Sequence, residues 1–213
     1  MAVVAKNDSV QIEAIEVGPF GTNTYIIQCQ ETRNSLVVDA PGDAGLVLRH
    51  LVNTNVKYIL ITHNHFDHLG ALSELKTKLG VPVAVHAADA ARLPLEPDLL
   101  IDQDDAIFWG KVSLKVLHTP GHTPGSLCFL IDKYLISGDT LFTGGPGKTA
   151  TPSDFTQIVN SITKKLFALP DDIIVYPGHG DSTALKKEKE EFAIFSARPH
   201  RDELCGDVVW LSS

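Results

Sequence analysis

The sequence predicts a mixed fold in which sheets are covered by helices. Short β-type runs recur in both halves of the chain, amphipathic helical stripes interrupt them, and Gly- or Pro-rich turn signals separate the two kinds of segment. Strand clusters mixed with helices are the pattern of layered sheets with helices outside. A doubly wound parallel sheet fits the same alternation, and pattern alone leaves both arrangements open. The 213 residues contain no linker, repeat or low-complexity stretch, so one domain over 1–213 is expected.

The elements follow in chain order. Val10–Val17 and Tyr25–Cys29 read as strands joined through a turn at Gly18–Asn23, and Ser35–Val38 as a third strand ending at Asp39. Asp43 is placed to cap a helix running to about Val52. Val56–Ile61 is a short apolar strand, Leu69, Leu72, Leu75 and Leu79 form a helical stripe, and Val81–Val85 is again a strand. In the second half Val112–Leu117, Ser126–Ile131 and Tyr134–Ile136 are strand-like. Phe155, Ile158, Val159, Ile162 and Leu166 share one helix face, and Pro170 ends it. Ile173–Tyr176 is a last strand, and Ala184–Phe195 a charged helix.

Composition narrows the function classes. The chain is 44% apolar and 21% charged, ordinary globular values. Its 18 Lys and Arg face 26 Asp and Glu for a formal charge of -8, with no basic block, so no nucleic-acid partner is expected. No apolar run approaches the roughly 18 residues of a membrane span. The start MAVVAKNDSV lacks a secretion-signal layout, and Cys29, Cys128 and Cys205 are isolated and odd in number. A reducing cytoplasm is the expected location.

The nine histidines are unevenly spread. Three fall in His63-Asn64-His65-Phe66-Asp67-His68, between the run ILIT and the helical stripe from Leu69. His63 and His65, two apart in extended chain, point to one side, while Asp67 and His68 sit where the chain turns into a helix. His122 in HTPGHTPGS, Asp139 in ISGDT and His179 in VYPGHGD each follow a strand-like run on a Gly- or Pro-bounded loop. Together these are five His and two Asp. Imidazole with carboxylate suits zinc first, and iron or manganese as well. Seven donors exceed the four that one zinc takes and fit two ions about 3.5–4 Å apart. A consistent division gives His63, His65 and His122 to one ion and Asp67, His68 and His179 to the other, with Asp139 and a hydroxide bridging. Such a centre stays net positive and favours an anionic or carbonyl substrate.

HNHFDH, GHTPGS, SGDTLF and YPGHG, in this order, resemble the metallo-β-lactamase superfamily, and within it the glyoxalase II branch of thioester hydrolases and their short relatives. The likeness spans about residues 10–183, leaving 184–213 as a short helical C-terminal segment. It implies an α+β fold, a four-layer αββα sandwich with the metals at one edge. It also implies hydrolysis of a thioester or related ester by metal-bound hydroxide, with Asp67 available as a proton relay. Asp139 stands where β-lactamases generally have Cys, and His65 where flavodiiron proteins have Glu. Lys148, closing GGPGK, matches a basic residue with which glyoxalase II enzymes bind the anionic part of the substrate. That stretch is not a phosphate-binding loop, because Phe142 stands where its first Gly belongs. Two features depart from the branch: only 180–213 follow His179, where full-length glyoxalase II enzymes carry a helical domain, and Gly180-Asp181-Ser182-Thr183 lacks their glutathione-contacting Tyr. The expected partner is therefore a small anionic acyl thioester or ester, with a homodimer as one way to complete the pocket. Persulfide dioxygenases look similar and would use one iron on His63, His122 and Asp139; lactone hydrolysis is a further alternative.

The remaining residues have plainer readings. Asp39 and Thr62 are expected to fix the tautomer of a ligating His. His118 reads as structural or as a partner of a ligand, His86 as structural, and His50 and His200 as surface residues. Cys128, inside a strand, is expected to be buried and inert.

Overall fold

The computed structural model describes residues 2–213. Its central strands bury both faces, and odd and even positions feed different cores. The first sheet runs, in spatial and chain order, through β1 (Ala2–Lys6), β2 (Val10–Val17), β3 (Thr22–Cys29), β4 (Asn34–Val38), β5 (Asn55–Leu60), β6 (Val83–Val85) and β7 (Leu99–Leu100). It is antiparallel as far as β4 and parallel from β4 to β7. Next come β8 (Ala106–Trp109), β9 (Val112–His118), β10 (Leu127–Ile131) and β11 (Tyr134–Gly138), then a small hairpin of β12 (Leu141–Phe142) and β13 (Gly145–Pro146), then β14 (Ile174–Pro177) and β15 (Thr183–Ala184). The second sheet has the order β15-β14-β11-β10-β9-β8 and is antiparallel except for the β11–β14 pair.

Ile12, Ile27, Leu36, Val38 and Leu60 of the first sheet meet Trp109, Val116, Phe129 and Ile136 of the second in a common core. Ile26, Val37, Ile59 and Val85, one position out of phase, pack under α1 (Ala44–Leu51) and α2 (Leu72–Leu79). After the short α3 (Ala87–Ala90), α4 (Pro152–Ser161) and α5 (Leu185–Ser196) cover Leu117, Cys128, Leu135 and Val175 on the far face, together with Trp210 from the C-terminal segment. The result is a four-layer αββα sandwich of two sheets, not one doubly wound sheet. Burial pushes the Cys128 thiol up to about 11, which keeps it inert. Among the described residues no helix is long and apolar enough to cross a membrane.

Some elements differ from the sequence expectation for local reasons. β1 precedes the first expected strand; it is an edge strand with mostly exposed side chains and so carries no apolar alternation. β8 pairs with β9 through a turn at Gly110, whose φ of 80° suits glycine. The two-residue strands β7, β12, β13 and β15 are too short to show a period. The helix expected from Leu69 begins at Leu72, after a 3-10 turn over Phe66–His68. The helix around Phe155 begins earlier, at Pro152, because the Thr151 hydroxyl accepts from Asp154 N–H and the Asp154 carboxylate accepts from Thr151 N–H. It loosens into a π turn over Ile162–Leu166.

Phe129 is fully buried between the sheets, whereas Phe108 on β8 is 68% exposed. Phe129→Ala is expected to cost about 3–5 kcal/mol in urea unfolding, and Phe108→Ala to stay within about 0.5 kcal/mol.

Candidate metal centre

Parallel strands release their C-terminal loops at one edge, and this chain places its chemistry there. Asp39 follows β4, His63 follows β5, Asp139 follows β11 and His179 follows β14. His122 lies in the loop between β9 and β10 at the same edge, since β9 runs in the same direction as β11. Two backbone hydrogen bonds join the sheets here: Leu127 N–H donates to Thr62 O at 2.8 Å, and Asn23 N–H to Gly178 O at 2.7 Å.

All seven candidate donors come together. His63, His65 and His122 form one group whose donor atoms lie within 4.8 Å of one another, and Asp67, His68 and His179 form another. Asp139 sits between them, its Oδ2 3.5 Å from His122 Nε2 and 3.7 Å from His179 Nε2, its Oδ1 3.4 Å from His68 Nε2. Gly178 makes room for it; a Cβ there would lie 2.1 Å from Asp139 Oδ1.

Hydrogen bonds at the back of the rings fix which nitrogens are bare. His122 Nδ1–H donates to the Lys148 carbonyl at 2.8 Å, and His179 Nδ1–H to the Phe20 carbonyl at 3.1 Å. His68 Nδ1–H donates to Asp39 Oδ2 at 2.8 Å. The Thr62 hydroxyl donates to Asp39 Oδ2 at 2.7 Å, so its oxygen accepts from His63 Nδ1–H at 3.0 Å. In the neutral rings, Nε2 of His63, His122 and His179 is therefore an unprotonated lone pair, and Nε2 of His68 becomes one when that ring gives up its second proton. His68 Nε2 and His179 Nε2 face each other at 3.3 Å, and His63 Nε2 is buried with no hydrogen-bond partner. Lone pairs placed this way fit shared cations.

The titration pattern has the same origin. Burial, and then the neighbouring His68, holds His63 well below the usual imidazole range. Burial and His122 lower His65. Burial acts in the same direction on His68, but the carboxylates of Asp39 and Asp139 overcome it and raise this ring to about 10. Burial would raise Asp139, yet the hydrogen bond from His68 and the surrounding imidazoles hold it well below the carboxylate range. Of these rings His68 therefore holds a second proton most readily, and an ion on its Nε2 would take that proton's place.

Asp39, buried with φ 61°, also accepts from Thr62 N–H at 2.8 Å, so one carboxylate orients the rings of both groups. Lys148 is not in the cluster. Its side chain is 67% exposed at the rim and pairs with Asp207 at 3.4 Å, while its carbonyl holds His122. Several supporting residues carry no motif. Asn23 donates to Pro177 O and Gly180 O on either side of His179, and the Tyr25 hydroxyl donates to Pro177 O at 2.6 Å.

A fourth group, His86, Asp102 and His118, has the ligand types but not the geometry. The two rings stack 3.9 Å apart at 14°, so their in-plane lone pairs cannot converge on one point. His86 Nδ1 accepts from Ala88 N–H, leaving Nε2–H to face Asp102 Oδ1 at 3.3 Å. The group is a hydrogen-bonded stack. His200, read from sequence as a plain surface residue, instead stacks on Phe195 at 3.9 Å; His50 lies 3.3 Å from Glu13.

Asp39→Ala is expected to lower zinc affinity by about 10–100-fold, the usual effect of removing a partner behind ligating histidines. Chelator competition on the variant and wild-type proteins reads this directly.

A family profile described as the metallo-beta-lactamase superfamily matches residues 17–179. A protein of Haemophilus influenzae named hydroxyacylglutathione hydrolase GloC is 34% identical over 203 residues, covering 84% of this chain and 95% of its own. Among solved structures, TTHA1623 in a di-iron-bound form is 29% identical with a TM-score of 0.71, covering 83% of this chain and 96% of that one. ETHE1 from Myxococcus xanthus is 28% identical with a TM-score of 0.73, covering 84% and 81%. With the profile spanning most of its length and the histidine cluster at the sheet edge, the chain belongs to the metallo-beta-lactamase superfamily.

Proposed function

We propose that this chain, acting as one domain, is a dinuclear metal-dependent hydrolase of thioesters or related esters. The observation that carries the reading is the pair of donor groups sharing Asp139, with bare nitrogens turned inward in both. The similarity to proteins named hydroxyacylglutathione hydrolase supports the thioester class. His63, His65 and His122 would hold one ion and Asp67, His68 and His179 the other, with Asp139 placed between the two groups. Two divalent ions there, zinc by preference of the donor set, would acidify a bound water at neutral pH and offer positive charge to a developing oxyanion.

The chain's own residues do the rest. The Lys148, Phe20 and Asp39 acceptors hold the rings so that no reorientation is needed on turnover. Asp67, 3.1 Å from His179 Nε2 and partly exposed, is placed to hold a proton on its way to the leaving group. A thiolate leaves readily, so this relay is an aid rather than a requirement. Lys148 gives the rim a positive charge for an anionic substrate, in competition with Asp207. A shallow cavity of about 180 Å³ between Phe142, Pro146, Lys148 and Val208 lies beside it. One ion on His63, His122 and Asp139 would leave the facing nitrogens of His68 and His179 without a shared cation, which favours two ions over a mononuclear iron centre.

Metal content per chain and S-lactoylglutathione hydrolysis on the same sample test the reading. About two ions with turnover is the expected result. His122→Ala is expected to lower kcat/KM by more than the about 100-fold that loss of an outer partner costs. One iron per chain, with oxygen uptake on glutathione persulfide, would replace this reading. Lys148→Ala is expected to raise KM for anionic esters while leaving metal content unchanged.

A further inference from the structure

Asp89 belongs to no motif and sits in the four-residue helix α3 amid alanines. It is nevertheless fully buried. Its carboxylate faces the two loops that carry the first donor group. Oδ2 accepts from Asn64 N–H at 3.0 Å and from the Thr123 hydroxyl at 2.7 Å, and Oδ1 accepts from Gly125 N–H at 2.9 Å. Asn64 stands between His63 and His65, and Thr123 directly follows His122. Among the described residues no Lys or Arg pairs with this carboxylate. A buried charge is tolerated only when hydrogen bonds replace its water, and here two backbone N–H groups and a hydroxyl do so.

The surrounding packing is fitted to this contact. A Cβ on Gly125 would come within 2.6 Å of Asp89 Cγ, so the loop approaches as closely as only glycine permits. At the start of α3, His86 caps the helix by accepting from Ala88 N–H, and its ring stacks on His118, which leads into the His122 loop. The segment 86–89 therefore touches that loop twice, once through a ring and once through a carboxylate.

We propose that Asp89 is a positioning residue for one of the two ions. Its carboxylate fastens the His63–His65 segment to the His122 loop, setting the separation of three donors that lie on different sheets. Asp39 reaches both groups, directly at His68 and through Thr62 at His63, whereas Asp89 contacts only the loops of the first group, so loss of Asp89 acts on one ion selectively. This inference rests on the reading of His63, His65 and His122 as ligands of one ion.

The test measures zinc stoichiometry and stepwise zinc affinity by chelator competition, together with thermal unfolding, for wild type, Asp89→Ala, Asp89→Asn and His122→Ala. Leu75→Ala, a buried residue of α2, serves as a destabilised control. Wild type binding two ions, with one weakened by His122→Ala, supports the ligand reading itself. Given that, Asp89→Ala is expected to weaken one ion at least 10-fold and leave the other near wild type. Asp89→Asn, which keeps one acceptor oxygen, is expected to fall between. The control is expected to lose thermal stability with both affinities intact. Both Asp89 variants binding two ions with wild-type affinity would overturn the proposal, and so would equal weakening of both ions. Wild type failing to bind a second ion, or His122→Ala leaving both affinities unchanged, would sink the ligand reading and this inference with it.

Discussion

Imidazole nitrogens with bare lone pairs repel one another, and this protein packs several of them into one edge of a sandwich. Positive charge among them relieves that repulsion. Everything near that edge follows from the constraint. Four of the rings have the outer nitrogen tied back, to Asp39, to Thr62, or to the carbonyls of Phe20 and Lys148, so that the inner nitrogen is turned into the cluster. The fold thereby aims four imidazoles, with His65 beside them, at one place where a cation would be held.

The sandwich supplies the rigidity this requires. Donors come from both sheets, and their separation depends on how the sheets are joined. The common core of Ile27, Leu36, Phe129 and Ile136 fixes the distance between layers. The cross-sheet bonds from Leu127 and Asn23 fix the edge itself. Asp139 and His179 end up adjacent because β11 and β14 run parallel, with Gly138 in register with Pro177. The site is thus a consequence of strand direction as much as of ligand identity.

Much of this was legible in the sequence. The strands stand out as apolar runs because both faces are buried, and HNHFDH stands out because its spacing is dense in donors. What stayed hidden has physical reasons. Edge strand β1 buries little, so it leaves no pattern. Helix α4 begins where Thr151 caps it, which a count of apolar positions cannot reveal. Asp89 sits among alanines, and its importance arises only from loops 25 and 36 residues away in the chain. Asn23 and Tyr25 brace His179 from more than 150 residues away, through backbone carbonyls that a motif cannot encode.

The double placement of Lys148 has a consequence for how such a site can diversify. Its carbonyl orients His122, whereas its side chain reaches outward to the rim. Because any residue offers the same carbonyl, replacement at this position leaves the imidazole in place. On the proposed role of Lys148, substrate preference and metal geometry would meet at a single position yet be chemically separable there. A change in which acid or ester is admitted would then need the exchange of one side chain, with no compensating adjustment in the centre behind it.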